Sequence, residues 1–281
     1  MEPPPEHPEA AGGMDGVGQN AVHVPVLPEE VHVALDLSPG LTVVDGTAGV
    51  AGLAAATARS IAPGGLLVGL DQDLEILSIA RANLEAARAP KAPDAPAAGA
   101  PGAAPIAAAD FSLHHLRFSQ LREGLQAAGR DSCDRVLLDL GVSSLVLDRP
   151  ERGFAIKADG PLDMRMNQSG GGVTAAEWLR RVSERDLEQV LRDYGDERYA
   201  RRIARAIVAE ARTGRLQRTG QLADVVFHAT PPPARGGRGH KGRGSAGRGG
   251  RRIHPATRTF QAIRMRINDE LGEMEQGLEA A

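Results

Sequence analysis

An α/β fold on an open, doubly wound parallel sheet is predicted by two features of this 281-residue chain. Short apolar runs alternate with helical patterns through its first half, and three of these runs end in an acid, at Asp45, Asp71 and Asp139. Such a sheet binds its ligands beyond the carboxyl ends of its strands, and there the third acid opens into a long polar loop, Leu147–Met166. A plain surface loop would account for the Gly and Pro of that loop, but not for Asp159, Asp163, Arg165 and Met166 set so closely together.

Composition bounds the rest. With 42% hydrophobic residues the chain can bury a real core, in one or two domains. A net charge of −3 does not mark the whole chain as a polyanion binder. The single cysteine, Cys133, excludes a disulfide framework and fits a reducing compartment; its place just before a strand suits packing. No apolar run approaches the ~20 residues that span a bilayer. Residues 1–22 are acidic and Pro-rich, without the features of a signal peptide, and are expected to be a disordered tail.

The elements follow in order. Leu41–Asp45 is a short β-branched run; Gly46–Gly52 is a glycine turn; an Ala-rich helix pattern runs to about Ile61. Pro63-Gly-Gly65 turns the chain into a second strand, Leu66–Asp71. Asp73 can cap a helix carrying Leu74, Leu77, Ile79, Ala80 and Leu84. A weaker strand covers about Phe111–His115 and a fourth covers Arg135–Leu138. Residues 86–109, almost all Ala, Pro and Gly, read as a spacer. Residues 173–231 are helical, with capping-box patterns at Thr174–Glu177 and Ser183–Asp186. Tyr194-Gly195-Asp196 reads as a helix stop and a new cap, and the next helix sets Arg198, Arg201, Arg202 and Arg205 on one face, as a solvated or RNA-facing stripe. Residues 234–252 hold eight Gly, six Arg and one Lys with no acid, suited to a solvated loop or to phosphate binding. Phe260, Ile263, Ile267, Leu271, Met274 and Leu278 predict one amphipathic helix over about Ala256–Leu278.

The chemistry concentrates at the strand ends. Gly46, Gly49 and Gly52 let the backbone approach a ligand, and the following helix N-terminus favours negative charge. Asp71, 19 positions after Gly52, stands where nucleotide-binding sheets place an acid on ribose hydroxyls. These features alone leave a dinucleotide and S-adenosylmethionine both open, although the G-x-x-G-x-x-G spacing argues against NAD. Asp139 ends a strand expected beside the first and so faces the same crevice; Ser143 and Ser144 after it also suit a helix cap. The scattered histidines and lone cysteine give no metal-ligand spacing.

At this point a resemblance becomes specific. The stretches His23–Leu27, Val44–Thr47, Leu137–Ser144, Leu147–Met166, Ala175–Trp178, Tyr194–Arg198 and His254–Gln261 resemble the bacterial-type small-subunit ribosomal RNA cytosine-N4 methyltransferases, the RsmH/MraW family. The resemblance covers about residues 23–280 apart from the two inserts. It implies a Rossmann-like class I methyltransferase sheet with a helical domain inserted after the fourth strand, so that 23–146 is the methyltransferase core, 147–233 the loop and helical domain, 234–252 an Arg/Gly-rich arm and 253–281 a core helix. It implies S-adenosylmethionine as cofactor and a cytidine of the decoding region as acceptor.

The implied cofactor contacts are Gly52, Asp71, Phe118 and Asp139, to which the turn adds Asp45, Gly46, Gly49, Ala51 and Leu53. The family's Gly-Gly-His is Ala51-Gly52-Leu53 here, and its Gln after the serine pair is Val146, changes that remove polar contacts. Asp139, or a carboxylate of the Asp159–Asp163 loop such as Asp163, is the expected proton acceptor; Ser143, Ser144, Arg165, His254 and Arg258 are the expected substrate contacts. The partner is small-subunit ribosomal RNA or the assembled small subunit, with no membrane and with room for a homodimer. A bacterial cytoplasm is the expected compartment, with a chloroplast or mitochondrion as alternative. The family continues into three more strands, so the sheet is expected to stop at about four, with an apolar edge and weak activity, as a fragment, truncated gene model or degenerate copy. The rival reading is a non-catalytic RNA-binding homologue.

Overall fold

The computed structural model describes residues 28–88, 109–142, 144–147, 149–231 and 254–281. The expectations for 1–22, His23–Leu27, Ser143, most of the 86–109 spacer and the 234–252 arm lie outside the described residues.

The sheet has four parallel strands, β1 (Thr42–Asp45), β2 (Leu66–Asp71), β3 (Asp110–His115) and β4 (Arg135–Leu137), in the order β3-β2-β1-β4. Each lies within a residue or so of its expected place, and β4 pairs with β1 as expected. Alternation divides the two faces. Val43 and Leu67 pack against Ala54 and Ala58 of α2 (Gly52–Ser60) and Leu84 of α3 (Leu74–Arg88). Val44, Val68 and Leu70 pack on the other face against Leu121 and Leu125 of α4 (Leu121–Ala127). Burial on both faces explains why these strands read as continuous apolar runs. A short helix, α1 (Pro28–Leu35), precedes the sheet. Asp73 does cap α3, accepting the N–H groups of Glu75 (3.0 Å) and Ile76 (3.3 Å). The buried face of α3 differs from expectation: Leu74 is exposed, and Ile76 joins Leu77, Ala80 and Leu84 in the core.

After β4 come α5 (Ser144–Leu147), a short 3-10 turn at Pro150–Arg152, and five helices: α6 (Ala175–Arg181), α7 (Glu184–Asp193), α8 (Ala200–Arg212), α9 (Thr219–Ala229) and α10 (Thr257–Asn268). Their core is Leu179, Leu187, Leu191, Ile203, Ile207, Leu222, Val226, Phe260 and Ile263. Thr174 and Glu177 form the expected capping box, and Ser183 accepts the Asp186 N–H. Asp196, however, does not start a helix. It is left-handed (φ 46), and α8 begins only at Ala200, leaving Arg198 ahead of it. Arg201, Arg202 and Arg205 form an exposed face opposite buried Ile203, Ile207 and Val208.

The single helix expected over 256–278 is two. Asp269 is left-handed (φ 52) and separates α10 from α11 (Glu270–Ala280). Beyond the break the expected apolar face does not continue, for Leu271 and Leu278 are exposed while Glu273 and Gly277 are buried. The cause is Asn268. Its buried side chain donates to the carbonyls of Met164 (2.8 Å) and Arg264 (2.9 Å) and accepts the Met166 N–H (2.7 Å). It anchors the Leu147–Met166 loop and turns the chain, so that α11 lies along α4 and Phe118 instead of extending the helical domain.

Replacing Asn268 by Ala leaves the Met166 N–H and Met164 C=O buried without a partner, at about 1–3 kcal/mol each. A loss of about 3 kcal/mol in the free energy of unfolding is expected, and denaturant titration of the variant checks it.

Candidate functional site

Parallel strands end at the same side of the sheet, so β1, β2 and the chain beyond β4 bring Asp45, Asp71 and Asp139 to one crevice. There they help to line a cavity of about 410 Å³, within the ~300–1,000 Å³ usual for small-molecule sites. Gly46, Gly49, Gly52 and Leu53 of the turn and Phe118 line it too; Met166, Asn268 and Glu273 belong to the same wall.

Each acid is held differently. Asp45 is 3% exposed and accepts the backbone N–H (3.0 Å) and hydroxyl (3.4 Å) of Thr47. The same hydroxyl accepts the Asp139 N–H at 2.7 Å, linking the end of β1 to the chain beyond β4. Burial pushes the Asp45 pKa up to about 7; the Thr47 N–H opposes this, and the charges of Asp71 and Asp139 add to it. Asp71 accepts the N–H groups of Gly49 (3.0 Å) and Asp73 (2.9 Å). Its pKa is pushed up to about 6, again chiefly by burial, with those N–H groups pulling it down and the Asp73 charge pushing it up.

The glycines serve more than ligand approach. A Cβ on Gly46 would sit 2.6 Å from Leu138 Cδ2 and 2.9 Å from Phe118 Cβ, so packing requires that glycine. Gly49 takes a positive φ (52°) as it turns its N–H to Asp71. Ala51 takes one as well (64°), but is buried and off the cavity wall. Helix α2 starts without a side-chain cap, so its first N–H groups point to the cavity mouth uncommitted to a side chain.

Several expected site residues stand elsewhere. Asp163 forms a two-pronged ion pair with Arg165 (2.7 and 2.9 Å) and accepts from Gln168, and neither partner lines the cavity. Burial raises the Asp163 pKa, but the Arg165 guanidinium and backbone N–H outweigh it and hold the carboxyl below its usual value. Asp159 is bound to Arg218 (2.5 Å) and the Gly220 N–H (2.9 Å) in the helical domain. Arg258 donates to the Asp196 carbonyl at 2.7 Å, and His254 accepts the Ala256 N–H at 3.2 Å; both are exposed and off the cavity. Ser143 and the Ser144 side chain lie outside the described residues.

The far wall was not foreseen. There Arg117 pairs with Glu273 (2.7 Å) and Arg264 with Glu270 (2.7 Å), so both wall arginines are matched by acids. Among the described residues no arginine or lysine pairs with Asp45, Asp71 or Asp139. The cavity is therefore net negative and suits a ligand that brings positive charge or hydrogen-bond donors.

The raised Asp45 and Asp71 values set a stability trend. Between their unfolded values near 4 and their folded values, the native chain binds more protons than the unfolded one, so stability falls as pH rises through that window. For Asp45 the three-unit shift caps the effect at ~4 kcal/mol. Asp45→Asn keeps an acceptor for Thr47 and should flatten the decline from pH 5 to pH 8, read from thermal melts of both proteins.

Comparison with known proteins places the chain. Residues 20–281 match the pattern of the MraW methylase family. The protein named ribosomal RNA small subunit methyltransferase H from Geobacter sulfurreducens is 40% identical over 259 residues, covering 92% of this chain and 72% of the relative. Its namesake from Nitratidesulfovibrio vulgaris (strain DP4) is 42% identical over 279 residues, 98% of this chain and 73% of the relative. The one from Burkholderia vietnamiensis is 39% identical over 269 residues, 94% and 73%. With that match running through the strand-end acids and the inserted helices alike, the chain belongs to the MraW methylase family.

Proposed function

We propose that this chain transfers a methyl group from S-adenosylmethionine to the N4 amine of a cytidine in the decoding region of small-subunit ribosomal RNA. The observation that carries the reading is the crevice of three acids, Asp45, Asp71 and Asp139, with no arginine or lysine partner among the described residues. The sulfonium and ammonium groups of the donor supply positive charge to such a crevice, and its ribose supplies hydroxyl donors. The relatives' names supply the acceptor: they act on small-subunit ribosomal RNA.

When bound, the donor supplies an electrophilic methyl on a positively charged sulfur. Asp71 would take the ribose hydroxyls with the lone pairs that the Gly49 and Asp73 N–H groups leave over. The turn at Gly49–Leu53, with the uncapped start of α2, would meet the methionine end. The cytosine amine is a weak nucleophile because its lone pair is delocalised into the ring, so the site has to hold it in line with the methyl. On taking up the methyl the amine would have to lose a proton. Asp139, exposed at the cavity rim, is the acceptor of choice; Asp163 has its lone pairs committed to Arg165 and Gln168. The base reaches the cavity splayed out of its stack.

The exposed arginine face of α8 supports the RNA side, since Arg201 and Arg202 have no acid partner among the described residues. Among these residues no helix is long and apolar enough to cross a membrane. The departures at Ala51, Leu53 and Val146 keep one alternative, an RNA-binding homologue without donor affinity, and the first experiment below decides between them.

S-adenosylhomocysteine should bind on calorimetric titration, and Asp71→Ala should weaken it at least about tenfold, since each hydrogen bond to a charged group is worth ~1.5–3 kcal/mol. No binding to the unaltered chain sinks the enzyme reading; equal binding by the variant sinks the role of Asp71. Reversing charge in Arg201→Glu/Arg202→Glu should weaken RNA binding and lower its salt slope by about 1–2 in log–log form, with donor affinity unchanged. The same slope in both proteins would show that α8 is only solvated.

A further inference from the structure

Beside this acidic crevice lies one cation that the reading above leaves unused. Arg152 belongs to a polar loop yet is 3% exposed. Its Nη1 lies 2.6 Å from Asp73 Oδ2 and 3.8 Å from Glu75 Oε2. Its Nη2 donates to the carbonyls of Met166 (2.8 Å) and Arg165 (3.3 Å). Asp73 in turn gives its N–H to Asp71 Oδ1 at 2.9 Å, and the Met166 sulfur accepts from Gln72 Nε2 at 3.0 Å. The contacts close a ring through Asp71, Asp73, Arg152, Met166 and Gln72. Four of its members line the cavity, and Arg152 stands behind them.

We propose that Arg152 is a positioning residue for the donor cavity, fixing Asp71 through Asp73 on one side and the Met166 wall through its carbonyl on the other. The inference rests on the donor reading of the cavity. A buried arginine is tolerated when its charge and most of its N–H groups are matched. Here the flat guanidinium pairs with a carboxylate through one terminal nitrogen and donates to two carbonyls through the other, a division of labour that a single ammonium cannot reproduce; only its Nε is left without a partner among the described residues. The neighbouring Arg149 pairs with Glu75, seating the same loop on the first turn of α3. The inserted domain is thereby fastened to the residues that would hold the ribose.

Charge gives the role a signature. Asp71 is faced by the carboxylates of Asp73 and Asp45, by His115, and by the N–H groups of Gly49 and Asp73. Arg152 offsets Asp73, the acid nearest in sequence. S-adenosylhomocysteine is titrated by calorimetry from pH 5 to pH 8 into the full chain and into Arg152→Lys, Arg152→Met and the double variant Arg152→Met/Asp73→Asn, each checked by its melting curve. In the unaltered chain affinity should fall as Asp71 takes up its proton near pH 6. Arg152→Lys should lose about tenfold in affinity at pH 7.5 with the midpoint of the pH profile in place. Arg152→Met leaves Asp73 uncompensated and should move the midpoint up; the double variant removes that charge and should move it below that of the unaltered chain. Opposite displacements are not produced by loosened packing. Binding by Arg152→Lys equal to that of the unaltered chain, with one midpoint in all variants, means that Arg152 only fastens a loop, and overturns this inference alone. An unaltered chain that binds at no pH overturns the donor reading and this inference with it.

Discussion

Like charges drawn together by strand direction are the constraint around which this molecule is arranged. Parallel pairing of β1 with β2 and β4 leaves their carboxyl ends no choice but to face one crevice, and two of those ends carry acids that are largely buried. The repulsion is managed with dipoles. Backbone N–H groups of Thr47, Gly49 and Asp73 each give a hydrogen bond to a carboxylate, and the Thr47 hydroxyl bridges to the chain beyond β4. Burial still wins at Asp45 and Asp71, which hold their protons far above the usual carboxylate range. A site in this condition is strained electrostatically until something donates charge to it, and that incompleteness directs the functional reading.

The helical insertion completes the cavity from the other side, through buried apolar side chains such as Phe154, Leu162 and Met164 and through hydrogen bonds to the backbone. Asn268 takes the Met166 N–H and donates to the Met164 carbonyl, while Leu162 and Ala176 tie the loop to the helices around it. Gly160 and Gly153 sit where a Cβ would strike the loop's own backbone, at 1.7 Å from the Pro150 oxygen and 2.4 Å from the Pro161 oxygen. The polar stretch read from the sequence as a loop presented to a ligand is, in its described residues, also a tightly folded joint between the two halves of the chain.

Much of the fold was legible because it follows from local rules. The strands and their acid ends, the Asp73 cap, the Thr174 box and the β1–β4 adjacency all rest on patterns within a few residues or on sheet topology. What escaped notice depends on partners distant in sequence. The apolar spacing of the last helix runs through the break at Asp269, and nothing local announces that Asn268 is claimed by a loop about a hundred positions earlier. Arg152 and Asp73 are each ordinary polar residues until the fold buries them together. The same limit applies to Asp163 and Arg165: their closeness in sequence marked them as special, but their mutual ion pair could not be distinguished from a shared grip on a substrate. Thr47 carried a weak signal, a hydroxyl two residues beyond a strand-end acid.

The turn at Asp269 also bears on the order in which the molecule assembles. Helix α8 packs against its chain neighbours α7 and α9 and against α6, contacts that close short loops at low entropic cost. The sheet must wait longer, because Val43 finds Arg135 across 92 intervening steps. Asn268 reaches back 104 residues to Met164, and its amide has nothing to grip until the loop is already folded between bundle and sheet. The corner between α10 and α11 thus depends on both halves of the chain, since its amide is satisfied only where bundle, loop and sheet stand together.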